Sequence, residues 1–283
     1  MSNFPRTKIG DLSVSRLMIG TNWFLGFSHT SKAKDRLIKE TMTREAIADI
    51  VEVFLKAGVD TLYGVRNDQH LLDAISDAEQ RSGRKCITLT TPIYPLKGSE
   101  IDLGEAERLL DEAVEMGASI CMPHQATTDA FVDRRTKSIT GLEDVMRMTR
   151  ERGMVTGLST HMPETPGYAD ASGLDVDTYM QIYNAAGFLM QIEIDWVQRA
   201  IWSAKKPVIT IKPLAAGKLP PLVGLNFVWN TIRDCDMVCI GTYTPGEAEE
   251  AIELSYAALE RRLPVMELQK TRSKASLSCV NSK

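Results

Sequence analysis

Eight short apolar runs at near-regular spacing constrain this chain more than any other feature. They are RLMIGTNW (16–23), VDTLYG (59–64), CITLTTP (86–92), SICMPHQ (119–125), VTGLSTH (155–161), DTYMQIYN (177–184), PVITIKPL (207–214) and DMVCIGTY (236–243). Each is almost continuously apolar, as a strand covered on both faces must be. Amphipathic stretches separate them. TREAIADIVEVFLKAG places Ile47, Ile50, Val51, Phe54 and Leu55 on one helical stripe, with Thr43 positioned as a cap and Gly58 just past the end. GEAERLLDEAVEMGA, LEDVMRMTRERGM and PGEAEEAIELSYAALERR have the same character, and Gly117 and Gly153 occupy equivalent terminal positions. GFLMQIEIDWVQRAIWSAKK reads as a helix from Met190, because Ile194, Val197 and Ile201 recur at helical spacing.

Eight strand–helix alternations in 283 residues predict an α/β fold, a (β/α)8 TIM barrel. An open doubly wound sheet is the competing architecture, but no G-x-G-x-x-G follows the first strand. Ahead of that strand, KIGDLSV predicts a hairpin turning on Gly10-Asp11 that closes the barrel bottom. Residues 1–270 form one barrel unit on this reading, and the polar segment 271–283 is a mobile tail.

Charge and cysteine usage exclude several classes. A net charge of −4 with no basic stripe argues against nucleic acid. No apolar run approaches the roughly 20 residues needed to span a bilayer, and MSNFPRTKIGD lacks the apolar centre of a secretory signal. The five cysteines (Cys86, Cys121, Cys235, Cys239, Cys279) form no C-x-x-C pair, which predicts reduced thiols in a cytoplasmic protein. The expected partner is a small molecule, with homo-oligomerisation left open.

In a TIM barrel the chemistry sits where the strands end. Those ends present Asn22 and His29; Tyr63 with Arg66 and Asn67; His124 and Gln125; Ser159, Thr160 and His161; Gln181, Tyr183 and Asn184; Lys212; and Gly241 with Thr242. Three of the four histidines fall on this rim, and only His70 lies on a helix. His124, His161, Lys212 and Tyr63 are the expected catalytic groups. His29, Asn22, Arg66, Asn67, Gln125, Gln181 and Tyr183 are the expected substrate contacts. The alternative role for Arg66-Asn67-Asp68 is to cap the following helix. Glu193 and Asp195 read as solvated or dipole-facing charges. Thr244-Pro245 reads as a helix start that also suits an anion beside Gly241 and Thr242.

Across nearly its whole length the chain resembles the aldo-keto reductases. IGDLSVSRLMIGTN is similar to that family's hairpin and first strand, SICMPHQ to the strand carrying its catalytic histidine, GLSTHMPE and QIYN to the segments that hold a nicotinamide amide, and CIGTYTPGEAEEAI to its last strand and helix. The resemblance implies a catalytic role for His124 and NAD(P)H contacts from Ser159, Thr160, Gln181, Gly241 and Thr242. The sequence departs from the family at important points. Thr91 stands where the family's lysine should end the third strand, and Ile211 replaces the aromatic that stacks on nicotinamide. Tyr63-Gly64 with Asp60 fits the tyrosine–aspartate pair only with a gap. GTYTPGEAEE lacks the basic residues that grip a 2′-phosphate. His161 and Lys212 are additions.

Three functional readings follow. The preferred one is non-redox proton chemistry on a small carbonyl or sugar-like substrate, of lyase, epimerase/isomerase or aldolase type, using His124, His161 and Lys212. The second is a diverged NAD(P)H-dependent reductase using His124 and Tyr63. The third is a catalytically silent binding barrel. A divalent metal would take His124 and His161 as two ligands, with no third apparent from the sequence.

Overall fold

The computed structural model of the protein describes residues 3–266. The expectation for the tail 271–283 lies outside the described residues. Parallel strands Leu17–Gly20, Thr61–Val65, Ile87–Thr90, Ile120–Cys121, Val155–Thr156 with Leu158–Ser159, Tyr179–Ile182, Val208–Ile211 and Met237–Ile240 follow one another around a closed ring. The last of them pairs with the first, Val238 opposite Leu17 and Ile240 opposite Ile19.

The fifth barrel strand consists of two segments. Val155–Thr156 pairs with the fourth strand and Leu158–Ser159 with the sixth, and Gly157 joins them. A Cβ at Gly157 would lie 2.5 Å from the Met122 sulfur and 2.8 Å from the Thr178 carbonyl oxygen. Only glycine allows the two neighbouring strands to approach this closely.

Period-2 alternation divides each strand between two layers. Met18, Leu89, Ile120, Met122, Met180, Ile182, Ile209, Ile211, Met237 and Cys239 fill the barrel. Leu17, Ile19, Leu62, Leu158, Tyr179, Val208, Val238 and Ile240 face the surrounding helices. The predicted hairpin is present, Arg6–Ile9 against Leu12–Ser15, with Gly10 at φ +57 in the turn. Its Ile9 and Val14, both 0% exposed, close the barrel bottom. Burying each stabilises the fold by roughly 1.5–3 kcal/mol.

The helices follow the predicted caps. Arg44–Lys56 starts at Thr43, whose hydroxyl accepts the Ala46 N–H, and Gly58 takes φ +81 beyond its end. Pro245–Glu260 starts at Thr244 with proline in its first turn. Asp68 caps Gln69–Ser82 by accepting the Leu71 N–H. The helix expected from Met190 begins later, at Ile194, and ends at Ser203. The strand expected over 119–125 is shorter than predicted. It ends at Cys121, and His124 instead caps a four-residue helix, Gln125–Thr128. Three helices had no named counterpart in the sequence, Lys32–Thr41 above the first strand, Thr165–Ser172 after the fifth and Pro221–Thr231 after the seventh. None of the described helices is long and apolar enough to cross a membrane.

Candidate active site

A cavity of about 530 Å³ opens at the C-terminal ends of the first, second, seventh and eighth strands. Its wall includes Asn22, Trp23, Phe27, His29, Tyr63, Lys212, Gly241 and Thr242. The loop Lys212–Lys218 forms one side. Lys212, Ala215 and Ala216 in that loop have φ of 60, 50 and 55, and His29 on the opposite side has φ 57. Non-glycine residues held in this left-handed region carry strain of order 1–3 kcal/mol each, and such strain concentrates at functional sites.

Lys212 extends from the barrel-lining residue Ile211 and is half-buried. Its pKa is lowered, because burial removes water from the ammonium. Among the described residues no carboxylate pairs with it. Its charge reaches all three rim histidines. His29 and His124 are lowered by burial first, with Lys212 contributing to both and Arg66 to His124. His161 falls from 6.5 to about 4, by burial and then by Lys212, His124 and His29. Lys212 and His29 thus line the cavity, while His124, His161 and Arg66 lie outside its wall, near enough for their charges to interact with those groups or with one another.

Local contacts fix the two central histidines. His124 Nδ1 accepts the Ala126 N–H at 3.2 Å, so the neutral ring carries its proton on Nε2. The His161 backbone N–H donates at 3.2 Å to Asp129, whose carboxylate also accepts the Thr160 hydroxyl at 2.5 Å. Asp129 lies 32 residues away, at the start of the short 3-10 helix Asp129–Phe131, and had no signal in the sequence. The Tyr63 hydroxyl donates to Ser159 Oγ at 3.3 Å and is pushed well above its ordinary pKa by burial. Gly64, at φ +84, sits in a bulge between Tyr63 and Val65.

Several expected contacts lie elsewhere. Met180 and Ile182 point into the barrel, so Gln181 and Tyr183 point out of it. Gln181 Nε2 donates to the Met162 carbonyl, and the Tyr183 hydroxyl donates to Thr231. By the same alternation Thr160 faces outward, bonded to Asp129 and Thr165. Asn184 turns its amide onto the backbone at Ala186 and Phe188. Gln125 is in the short helix after His124, and Asn67 is exposed outside the cavity wall. Asp60 is at the start of the second strand, where it pairs with Arg6 at 2.6 Å, so it lies at the opposite end of the barrel from Tyr63. Thr242 is 3% exposed and its hydroxyl has no partner.

Four cations missed in the sequence, or noted without this setting, stand over aromatic rings at the rim. Lys34 lies 5.6 Å from the Trp23 ring and 5.2 Å from Tyr243. Lys39 and Arg66 both lie over Phe27, at 5.9 and 5.2 Å. Lys218 lies 4.0 Å from Phe188. Among the described residues no group of three or more His, Cys, Asp or Glu side chains is arranged to hold a metal ion, so His124 and His161 lack a third such ligand. Cys121 and Cys239 are buried free thiols, and Cys86 and Cys235 are free and partly exposed.

No family model matches the chain, and no curated protein matches it. Solved structures do. An aldo-keto reductase from Pseudomonas aeruginosa, so described provisionally, superposes with a TM-score of 0.64 at 15% identity, over 90% of this chain and 96% of that one. An aldo/keto reductase from Klebsiella pneumoniae, in complex with NADP and acetate, gives 0.54 at 14% identity over 93% and 92%. Orotidine 5'-monophosphate decarboxylase from Methanocaldococcus jannaschii gives 0.54 at 14% over 84% and 97%. The chain thus has the (β/α)8 fold, similar to that of the aldo-keto reductases. At these identities the likeness is one of fold.

Proposed function

We propose that this barrel is an enzyme of proton transfer beside a carbonyl, of lyase, epimerase/isomerase or aldolase type, acting on a small sugar-like substrate without hydride transfer. One observation carries the reading: Lys212, with no carboxylate partner among the described residues, lines one cavity with His29, and its charge also reaches His124 and His161 just outside that wall. His161 is the base. It takes a proton from the carbon next to the carbonyl; the C–H electron pair forms a carbon–carbon double bond as the carbonyl π pair moves onto oxygen. Lys212 and His124 Nε2–H stabilise the resulting oxyanion. Return of the proton to the opposite face completes an epimerisation, and expulsion of a β leaving group completes an elimination. His161 is a weak base because burial, and then the charge of Lys212, disfavour its protonated form. A developing negative charge strengthens it when it is needed.

The groups available do not fit a nicotinamide dinucleotide. Thr160 and Gln181 are committed to internal partners, and Ser159 accepts from Tyr63. Ile211 offers no stacking ring, and the cavity wall along the last helix carries Glu247 and Glu250, which oppose phosphate. The test is deuterium exchange at the carbon next to the carbonyl, followed by NMR in D2O across 2-keto acids and hydroxyketone phosphates. Exchange that falls about 100-fold in His161→Asn supports the reading. Saturation by NADPH at low micromolar concentration overturns it in favour of a reductase. Binding without exchange or turnover marks a silent barrel.

A further inference from the structure

The charge of the mouth is at odds with that of the chain. The protein carries a net charge of −4, yet Lys34, Lys39, Arg66, Lys212 and Lys218 gather around one opening. Among the described residues none of the five is paired with a carboxylate. Four of them rest on aromatic rings, which orients a cation without neutralising it. Elsewhere arginines are routinely paired, as Arg44 is with Asp73 and Asp77 or Arg150 with Asp175 and Asp177.

The acidic groups near the opening have other partners. Asp35 accepts the Ser28 N–H at 2.9 Å and its hydroxyl at 2.7 Å. Asp68 caps a helix, and Asp129 holds Thr160 and the His161 N–H. Glu247 accepts the Tyr243 N–H at 2.7 Å. Glu250 faces the arm of the cavity along the last helix. Both line the same cavity as Lys212 and His29, but among the described residues neither forms an ion pair with Lys212 or with a rim histidine.

We propose that the mouth binds an anionic group of its ligand, a carboxylate or a phosphate, between Lys212 and Arg66, with Lys34, Lys39 and Lys218 steering it inward. Lys212 is in the cavity wall, as is Phe27, and the exposed Arg66 stands over the Phe27 ring at the edge of the opening. The guanidinium lies on the ring, and its planar fork matches either anion. Lysines free of carboxylates raise the local concentration of an anion and its rate of entry. The inference rests on the cavity of the proposed reaction but not on the reaction itself. It adds a functional link between the two, since an anion beside Lys212 offsets the charge that depresses His161.

The groups facing the histidines are Lys212, Arg66, Tyr63, Cys239, Asp35 and Asp129, together with the histidines themselves. Histidine side-chain NMR reads the site directly, with sodium oxalate and inorganic phosphate as separate probes and sodium chloride as the ionic control. The expected result is a saturable shift of His124 and His161, with the His161 pKa rising from about 4 as the bound anion offsets the charge of Lys212. His70, whose Nε2 bonds to the Met42 carbonyl outside the mouth, serves as an internal control and does not move. Lys212→Met and Arg66→Met each weaken the better probe by about tenfold or more, the scale of one lost hydrogen bond to a charged group. Lys212→Arg keeps most of the binding. Saturation by oxalate alone assigns a carboxylate, and saturation by phosphate alone a phosphate ester. Equal, unsaturable shifts with all three salts, or probe binding unchanged in Arg66→Met, overturn the site. If the probes bind saturably while no carbonyl substrate exchanges, the anion site stands and the proton-transfer reading fails.

Discussion

The two ends of this barrel treat charge in opposite ways. At the bottom each buried charge has its partner. Arg233 donates to Asp236, whose carboxylate is 0% exposed and also accepts the Val208 N–H. Arg16 donates to the carbonyls of Asp236 and Arg233 and stacks 5.2 Å from Trp229. Arg6 pairs with Asp60. At the mouth, among the described residues, Lys212 and Arg66 have no carboxylate partner, and Lys212, Ala215, Ala216 and His29 hold left-handed backbone. Paired groups stabilise, whereas unpaired charge and strain oppose folding and persist where a ligand uses them. The contrast locates function at one end and stability at the other.

The largest effect tests the bottom. Asp236→Ala leaves a buried guanidinium and the Val208 N–H without their acceptor, and stability falls by about 3–5 kcal/mol, measured from the urea midpoint. A loss below about 1 kcal/mol would remove the stabilising half of the contrast. Next is His161→Asn. Exchange activity falls about 100-fold while the urea midpoint stays close to that of the parent protein. The same variant alters the acid limb of stability. His161 has its pKa depressed in the folded state, from 6.5 to about 4, so the unfolded chain binds the proton first as pH falls. Stability attached to this group is complete above pH 6.5 and is lost as pH drops towards 4. The variant flattens that window, and an unchanged pH–stability curve would show that the ring is not desolvated. The smallest effect is at Ser159→Ala. It removes the acceptor of the Tyr63 hydroxyl, for about 1 kcal/mol, with exchange activity within a few-fold of the parent. A 100-fold loss there would make Tyr63 a working acid and favour a reductase-like role.

Much of this division could be read in the sequence. The eight apolar runs located the strands because parallel strands buried on both faces need continuous apolar side chains. Gly10, Gly58 and Pro245 marked real turns and caps because backbone geometry requires them. The site was only partly visible. His29, His124, His161 and Lys212 stood out as ionisable groups at run ends. Gln181 and Tyr183 stood out as polar groups, but the strand over 179–182 could be registered either way by composition, and the pleat turned both away from the mouth. The rim cations were out of reach, since Lys34 and Lys39 meet Trp23 and Phe27 only through the helix Lys32–Thr41, which has a single buried residue, Ile38. Asp129 reaches His161 from a three-residue 3-10 helix, too short to carry a periodic signal.

Lys212→Met separates the two ends within one molecule. The ammonium is desolvated and unpaired, so its folded-state pKa lies below that of the unfolded chain and the charge opposes folding at neutral pH. Met retains the stem and removes the charge. Unfolding free energy and carbon–deuterium exchange should be measured on the same preparation. The account predicts stability equal to or above the parent, with exchange reduced about 100-fold or more. A variant that loses more than about 2 kcal/mol of stability while keeping its exchange rate would make Lys212 a structural residue and contradict the account.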